Sequence, residues 1–142
     1  MYNALDVARY IINYEKRQGR SVSNLRLQKL LYFVQAQFLV TTQRACFRDE
    51  MEAWDLGPVV PNVYHAYKAF GSSSLPQILP VGSDIDFDDS MLINRILDKC
   101  AHYSTTSLVA LTHRQKPWKD AYESRFDNTI SHGAMRLFFG GK

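Results

Sequence analysis

The segment that most constrains the fold runs from residue 23 to residue 39. Its apolar residues recur at the spacing of one helical face: Leu27, Leu30, Leu31, Val34 and Phe38. Tyr32, Phe33 and Leu39 add apolar surface on other sides, and Ser23 is a residue type that caps helices. A helix that is apolar on most sides has to be enclosed by the rest of the chain. The sequence therefore predicts a central and mostly buried helix.

Signals at helix ends predict two further helices in the N-terminal half. The apolar residues of the segment 5–14 share one helical face, and Gly19 closes that helix after about four turns. Pro61 suits a first helical turn and predicts a helix that continues to Gly71. Residues 71–87 contain several Gly, Ser and Pro residues and predict an irregular connection.

Start signals predict four more helices in the C-terminal half. The first is expected to be capped by Asp88, Asp89 or Ser90, and the second by Ser104. Pro117 and Trp118 begin the third helix, and Ser131 caps the last.

Residues 46–60 lose the helical period and alternate weakly between apolar and polar, which indicates a short edge strand or an extended segment that enters a turn at Gly57-Pro58. The predicted fold class is therefore mainly α: a single helical domain over residues 1–142, with about six to seven helices and a small two- or three-stranded β element. A chain of 142 residues is long enough to bury about 70% of its unfolded surface.

Several sequence features predict a cytoplasmic protein without a membrane segment. No apolar run approaches the roughly 18 residues that a membrane span needs, and the N-terminus shows no basic segment followed by an apolar one. Cys46 and Cys100 form no C-x-x-C pair, which fits a reducing compartment better than a disulfide-linked secreted protein.

The net charge of +3 conceals a strong polarity along the chain. Residues 1–48 carry a net charge of +6, residues 49–98 carry −7, and residues 99–142 carry +4. Separate positive and negative surfaces steer association with a charged partner. The alternative is that the ends pack against the middle, so that the signs interleave on the folded surface.

No motif commits the chain to catalysis or to a cofactor. Neither glycine-rich phosphate loop occurs, nor do the G-x-S-x-G and H-E-x-x-H motifs. The acidic run from Asp84 fails as a calcium loop, because Asp89 and Arg95 stand where Gly and Glu are needed. Cys100 and His102 form the best local zinc pair but lack a second pair. The prediction is no catalytic residue, no metal and no cofactor.

Basic residues cluster in two places. Lys16, Arg17, Arg20, Arg26 and Lys29 fall within fourteen positions, and Arg114, Lys116 and Lys119 flank Trp118. Cations interleaved with aromatic residues suit single-stranded nucleic acid, so nucleic-acid binding is the alternative function. A cationic face for an acidic protein partner, or simply for water, is the favoured interpretation.

Three segments together resemble one protein family. They are L-Q-K-L-L-Y-F-V-Q-A at 27–36, A-W-D-L-G-P-V-V-P-N-V-Y at 53–64, and L-T-H followed by P-W at 111–118. Their types, order and separation resemble the Panacea family of SocA-like antitoxin domains, which includes GepA-like proteins associated with phages and prophages. The resemblance runs from Ala4 to Phe139.

The resemblance implies a non-enzymatic antitoxin that neutralises a toxin encoded by a neighbouring gene through direct protein contact. It also implies possible delivery of that toxin to a ClpXP-type protease. The motif positions are Leu27, Lys29, Leu30, Tyr32, Trp54, Gly57, Pro58, Val59, Tyr64, Thr112, His113, Pro117 and Trp118. Eight of them are the candidate site residues for partner binding: Lys29, Tyr32, Trp54, Gly57, Pro58, Tyr64, His113 and Trp118.

The chemistry of these motif residues predicts a supported turn. Gly57 permits a backbone turn that a Cβ atom would prevent, and Pro58 fixes the direction in which the chain leaves it. His113 and Trp118 lie near a helix boundary, where we expect them to pack on the Trp54 turn and hold it. The indole N–H of Trp54 needs a hydrogen-bond partner. Core packing is the favoured role for each aromatic residue, with partner binding as the alternative.

Overall fold

Seven α-helices and three short strands make up the part of the chain that the computed structural model describes, residues 1–77 and 85–140. The helices are α1 (Ala4–Arg17), α2 (Asn24–Thr41), α3 (Pro61–Tyr67), α4 (Phe87–Cys100), α5 (Thr105–His113), α6 (Lys116–Glu123) and α7 (His132–Gly140). The strands are β1 (Met51–Trp54), β2 (Gly57–Val59) and β3 (Thr129–Ile130). A single 3-10 turn, Lys68–Phe70, follows α3. The predicted fold class is confirmed.

Helix α2 is the predicted central helix. The side chains of Leu27, Leu30, Leu31, Val34 and Phe38 are all buried, as are Tyr32 and Leu39. Helices α1, α3, α4, α5 and α7 and strand β2 all contact α2. Burial of this apolar surface is the main force that holds the elements together.

Serine side chains cap three of the helices at the predicted positions. Ser23 Oγ accepts a hydrogen bond of 3.1 Å from the backbone N–H of Arg26. Ser104 Oγ accepts one of 3.0 Å from Ser107, and Ser131 Oγ accepts one of 3.0 Å from Ala134. Each bond satisfies an N–H group that the helix itself leaves without a partner.

The predicted start of α4 is wrong by two to four residues. The helix begins at Phe87 with Asp86 as its N-cap residue, before the predicted cap at Asp88, Asp89 or Ser90. Asp89 is buried inside the first turn, where its carboxylate accepts hydrogen bonds from the Tyr2 hydroxyl (2.6 Å) and from Arg44 Nη2 (2.9 Å). The Asp89 carboxylate therefore bonds to distant residues and does not cap the helix.

Residues 78–84 of the predicted irregular connection lie outside the described residues.

The three strands form one antiparallel sheet in the order β2-β1-β3. Trp54 pairs with Gly57 across a tight turn made by Asp55 and Leu56, and Glu52 pairs with Val59. Strand β3, which pairs Ile130 with Met51, was not located from the sequence because two residues are too short to show an alternating pattern. The β1–β2 hairpin carries the A-W-D-L-G-P-V motif.

Within residues 1–77 and 85–140, the helices lack the combination of length and apolar character that crossing a membrane requires.

Candidate functional site

A row of buried polar side chains runs along α2: Asn24, Gln28, Lys29, Tyr32 and Gln35. Burying such groups costs free energy unless each one is hydrogen-bonded. Every one of them bonds to another part of the chain or to its neighbour in the row. Helix α2 therefore fixes surrounding segments through specific polar contacts as well as apolar packing.

Lys29 is the cation in this row, and it is fully buried. Its Nζ atom donates a 2.6 Å hydrogen bond to the carbonyl oxygen of Pro58, at the start of β2. Burial lowers the pKa of Lys29 to about 7, because desolvation disfavours the charged ammonium. The bond fixes the hairpin to the middle of α2.

Gly57 allows the hairpin to approach Lys29 this closely. Its φ is +113°, a conformation that side-chain-bearing residues rarely adopt. A Cβ atom at this position would lie 2.9 Å from Lys29 Cε and 2.9 Å from Thr112 Oγ1. The predicted requirement for glycine in the turn is confirmed, and its cause is both the backbone angle and the lack of space.

Gln28 and Asn24 attach the segment that follows the hairpin. Gln28 Oε1 accepts a 2.9 Å hydrogen bond from the N–H of Val60, and its Nε2 donates one of 2.9 Å to Asn24 Oδ1. Asn24 Nδ2 in turn donates to the carbonyl oxygen of Tyr64 at 3.0 Å. These bonds fix the entry into α3 against α2.

His113 and Trp118 hold the outer side of the hairpin, as the sequence predicts. Trp118 Nε1 donates a 2.8 Å hydrogen bond to the carbonyl oxygen of Trp54. His113 Nε2 lies 2.9 Å from the carbonyl oxygen of Asp55; since a carbonyl only accepts, this ring nitrogen carries the proton. The two rings pack with their centroids 4.4 Å apart. Tyr122 stacks on Trp118 and donates its hydroxyl to the carboxylate of Asp55.

Trp54 and Tyr64 form an aromatic pair on the other side of the turn. Their ring centroids are 5.1 Å apart in an edge-to-face arrangement. The Trp54 indole N–H donates a 2.9 Å hydrogen bond to Glu52 Oε1, which is the hydrogen-bond partner that this indole needs. Both rings stay partly exposed.

The structure thus brings seven of the eight candidate residues to the hairpin or its supports. Tyr32 lies apart from them. Its hydroxyl donates a 2.9 Å hydrogen bond to Gln115 Oε1, between α5 and α6, and its ring packs edge-to-face against Phe33 and Phe139. Tyr32 therefore positions the α5–α6 junction from which His113 and Trp118 reach the hairpin.

A cleft of about 660 Å³ opens beside the hairpin, between α2, α3 and α6. We call it the hairpin cleft; its lining residues are Asn24, Leu25, Gln28, Ala53, Trp54, Asp55, Leu56, Val59, Tyr64, Lys68, Gly71, Ser72, Tyr122 and Asn128. The polar groups of Asn24 and Gln28 are already hydrogen-bonded within the protein. Leu56, at the tip of the turn, is 55% exposed. The cleft therefore offers mainly apolar and aromatic surface.

Sequence reasoning missed Leu25, Leu56 and Tyr122 as parts of this surface. Only Leu56 carried a signal of exposed apolar surface in the sequence, because it is a large apolar residue in a turn, where polar residues prevail. Leu25 and Tyr122 gave no comparable signal, because their positions depend on how α2 and α6 pack around the hairpin.

The first basic cluster is dispersed by the fold. Arg20 pairs with Glu15 and, at 3.0 Å, with Asp98. Arg26 donates to the carbonyl oxygen of Cys100 at 2.9 Å and to Thr105 Oγ1 at 3.2 Å. With Lys29 buried, three of the five cations make contacts inside the protein. Lys16 and Arg17 remain exposed.

Both cysteines are buried free thiols. Burial raises the pKa of Cys46 to about 12 and that of Cys100 to about 11, so both thiols stay protonated at neutral pH. A protonated buried thiol is a poor nucleophile. Among the described residues, no three His, Cys, Asp or Glu side chains are grouped so that they could hold a metal ion.

Comparisons with known proteins place these motifs in a family. The model of the family described as "Antitoxin SocA-like, Panacea domain" matches residues 27–119, which include the β1–β2 hairpin, Lys29, His113 and Trp118. Antitoxin SocA of Caulobacter vibrioides (strain NA1000 / CB15N) is 33% identical over 130 residues, which cover 82% of this chain and 68% of that protein. No solved structure matches the chain significantly.

Proposed function

Because this chain belongs to the family of SocA-like antitoxins with a Panacea domain, we propose that it neutralises a toxin by binding it directly, and that the toxin is encoded by a neighbouring gene. The observation that carries the proposal is the hairpin cleft. Three family motif residues, Trp54, Val59 and Tyr64, line it together with the exposed Leu56.

A rigid apolar cleft suits protein binding better than catalysis. The side chains of Asn24 and Gln28 are committed to internal hydrogen bonds, so the toxin has to supply apolar side chains to fill the cleft. Trp54, Tyr64 and Tyr122 are aromatic residues of the kind enriched in interfaces. The proposed role is non-enzymatic: the bound chain covers the surface of the toxin that is responsible for its toxicity.

The hydrogen bonds behind the cleft fit this role. Lys29, His113 and Trp118 hold the backbone of the hairpin from two sides, at Pro58, Asp55 and Trp54. A surface held in its binding conformation loses little entropy when a partner docks. Lys29, His113 and Trp118 therefore support the interface from behind, and Leu56, Trp54 and Tyr122 contact the toxin.

A second step is part of the proposal: the complex presents the toxin to a ClpXP-type protease. This step predicts a shorter half-life of the toxin in cells that contain both this chain and the protease. Deletion of either one should lengthen the half-life equally. A half-life that does not depend on this chain would contradict the adaptor role and leave neutralisation by binding intact.

The alternative, nucleic-acid binding, has less support. It rests on two groups of residues. In the first, residues 16–29, Arg20, Arg26 and Lys29 are engaged inside the protein. In the second, Trp118 and its flanking cations, Lys116 pairs with Asp120 and the indole N–H of Trp118 is bonded to Trp54. Single-stranded nucleic acid needs cations that are free to contact phosphates. Titration of a labelled oligonucleotide at low salt tests this alternative, and we expect no saturable binding.

Coexpression tests the proposed function directly. The gene next to this chain's gene is induced alone and together with it, and growth is recorded. We expect the neighbour to stop growth alone, growth to recover on coexpression, and the two proteins to purify together. A harmful neighbour that this chain neither rescues nor binds would overturn the proposal for that pair.

A further inference from the structure

The loop between α6 and β3, residues 124–128, carries a fully exposed aromatic side chain. Phe126 is 97% exposed, the highest value among the large apolar side chains of residues 1–77 and 85–140. Ser124 Oγ accepts hydrogen bonds from the backbone N–H groups of Phe126 (3.3 Å) and Asp127 (3.2 Å). Asp127 Oδ1 accepts one from Thr129 at 2.8 Å. These bonds fix the loop and leave Phe126 outside the chain's own core.

This loop stands directly beside the hairpin cleft. Tyr122 and Asn128, the residues on either side of the loop, both line the cleft. The loop that carries Phe126 and the apolar and aromatic lining of the cleft are therefore neighbours on the molecule. In a symmetric pair whose two-fold axis passes between the loop and the cleft, the loop of each copy lies opposite the cleft of the other.

The charges of the loop and the cleft are complementary. Phe126 lies between Arg125 and Asp127, which carry opposite charges. The cleft lining contains one carboxylate, Asp55, and one ammonium, Lys68. Arg125 can therefore face Asp55 of a second copy, whose carboxylate also accepts the Tyr122 hydroxyl, and Asp127 can face Lys68. This pairing brings opposite charges together.

From this geometry we infer that the chain forms a symmetric homodimer in which Phe126 of each copy inserts into the hairpin cleft of the other. Insertion removes two exposed phenylalanine side chains from water at once. The dimer covers the same cleft that is proposed to receive the toxin, so self-association and toxin binding exclude one another. The inference itself concerns the chain alone and does not depend on the toxin.

Sedimentation equilibrium of the purified chain over a range of concentrations tests the inference. We expect the apparent mass to rise from 16.4 kDa toward twice that value. Phe126→Ser should weaken the dimer at least about tenfold, because central aromatic residues dominate most interfaces. Phe87→Ser is the matched control: Phe87 is also largely exposed, at 75%, but lies on α4 and does not line the cleft. This control should dimerise like the unmodified chain.

A mixing experiment tests the cleft side of the contact. Leu56→Asp places a charge at the edge of the cleft and should also abolish self-association. A mixture of Leu56→Asp with Phe126→Ser keeps one intact contact, so the two variants should associate with each other more strongly than either does with itself. A chain that is monomeric at all concentrations, or a Phe126→Ser variant that dimerises normally, would overturn the inference. Whether Phe126→Ser still rescues growth on coexpression is recorded separately. Loss of dimerisation can then be distinguished from loss of toxin neutralisation.

Discussion

The buried Nζ of Lys29 lies 2.6 Å from the carbonyl oxygen of Pro58 and joins the central helix to the β1–β2 hairpin. The same contact explains why glycine precedes that proline, because Gly57 packs against the Lys29 side chain. One pair of residues thus links the first family motif to the second.

Lys29 should make the stability of the protein rise with pH. Its pKa is about 7 in the folded state, below the ordinary value of 10.5, so the unfolded chain binds more protons between these values. The free energy of unfolding should therefore increase with pH above 7. Relative to Lys29→Met, the gain from pH 7 to pH 9 should be about 2 kcal/mol. Urea unfolding of both proteins at each pH measures this gain. A stability difference between the two proteins that does not change with pH would contradict the lowered pKa of Lys29.

Replacing Gly57 should be costly. Gly57→Ala combines an unfavourable backbone angle with two close contacts, which together should lower the free energy of unfolding by about 3 kcal/mol or more. Gly19→Ala is the matched control, since Gly19 also has a positive φ but has nothing within 4 Å of a Cβ atom. That control should lose only about 1 kcal/mol in chemical denaturation. Equal losses would show that the close contacts contribute nothing.

The indole N–H of Trp118 should contribute to stability. Trp118→Phe removes the donor to the carbonyl oxygen of Trp54 and should cost about 1–2 kcal/mol, as expected for a carbonyl that loses its partner. Trp54→Phe removes a similar donor, but its acceptor is the Glu52 side chain, which water can solvate, so this control should cost less. Thermal unfolding of both variants compares them. A larger loss in Trp54→Phe would contradict this account of the hairpin.

The two thiols should be unreactive in the native protein. Cys46 and Cys100 are buried, and burial raises the pKa of both, so little thiolate forms at pH 8. Titration with a thiol reagent should label neither cysteine in the folded protein and both in urea. Rapid labelling of one thiol under native conditions would contradict the burial of that side chain.

Much of the architecture could be predicted from the sequence because local signals and tertiary packing agree. The apolar spacing of Leu27, Leu30 and Leu31 marked the central helix, and Ser104 and Ser131 marked helix starts that the structure confirms. The sequence also predicted that His113 and Trp118 support the Trp54 turn. The helix signals lie within a few residues of the features they specify, whereas the contacts of His113 and Trp118 with the Trp54 turn join segments 58 and 64 positions apart.

The remaining features depend on contacts between distant segments. Asp89 was expected to cap α4, but it bonds to Tyr2 and Arg44, which no local pattern shows. Gln28 and Asn24 read as ordinary polar residues of a helix, although they are buried and fix the segment after the hairpin. Lys29 was counted in a basic cluster because a sequence does not reveal that a cation is buried.

The most direct test of the central claim is the affinity of the purified chain for the toxin encoded beside it, measured by titration calorimetry. Leu56→Asp should raise the dissociation constant at least about tenfold, because it places a charge in an apolar contact. Its unfolding transition should stay unchanged, since Leu56 is 55% exposed. Phe87→Ser, which changes an exposed apolar residue outside the cleft, should bind like the unmodified chain. Leu56→Asp binding with unchanged affinity would contradict the claim that the hairpin cleft receives the toxin.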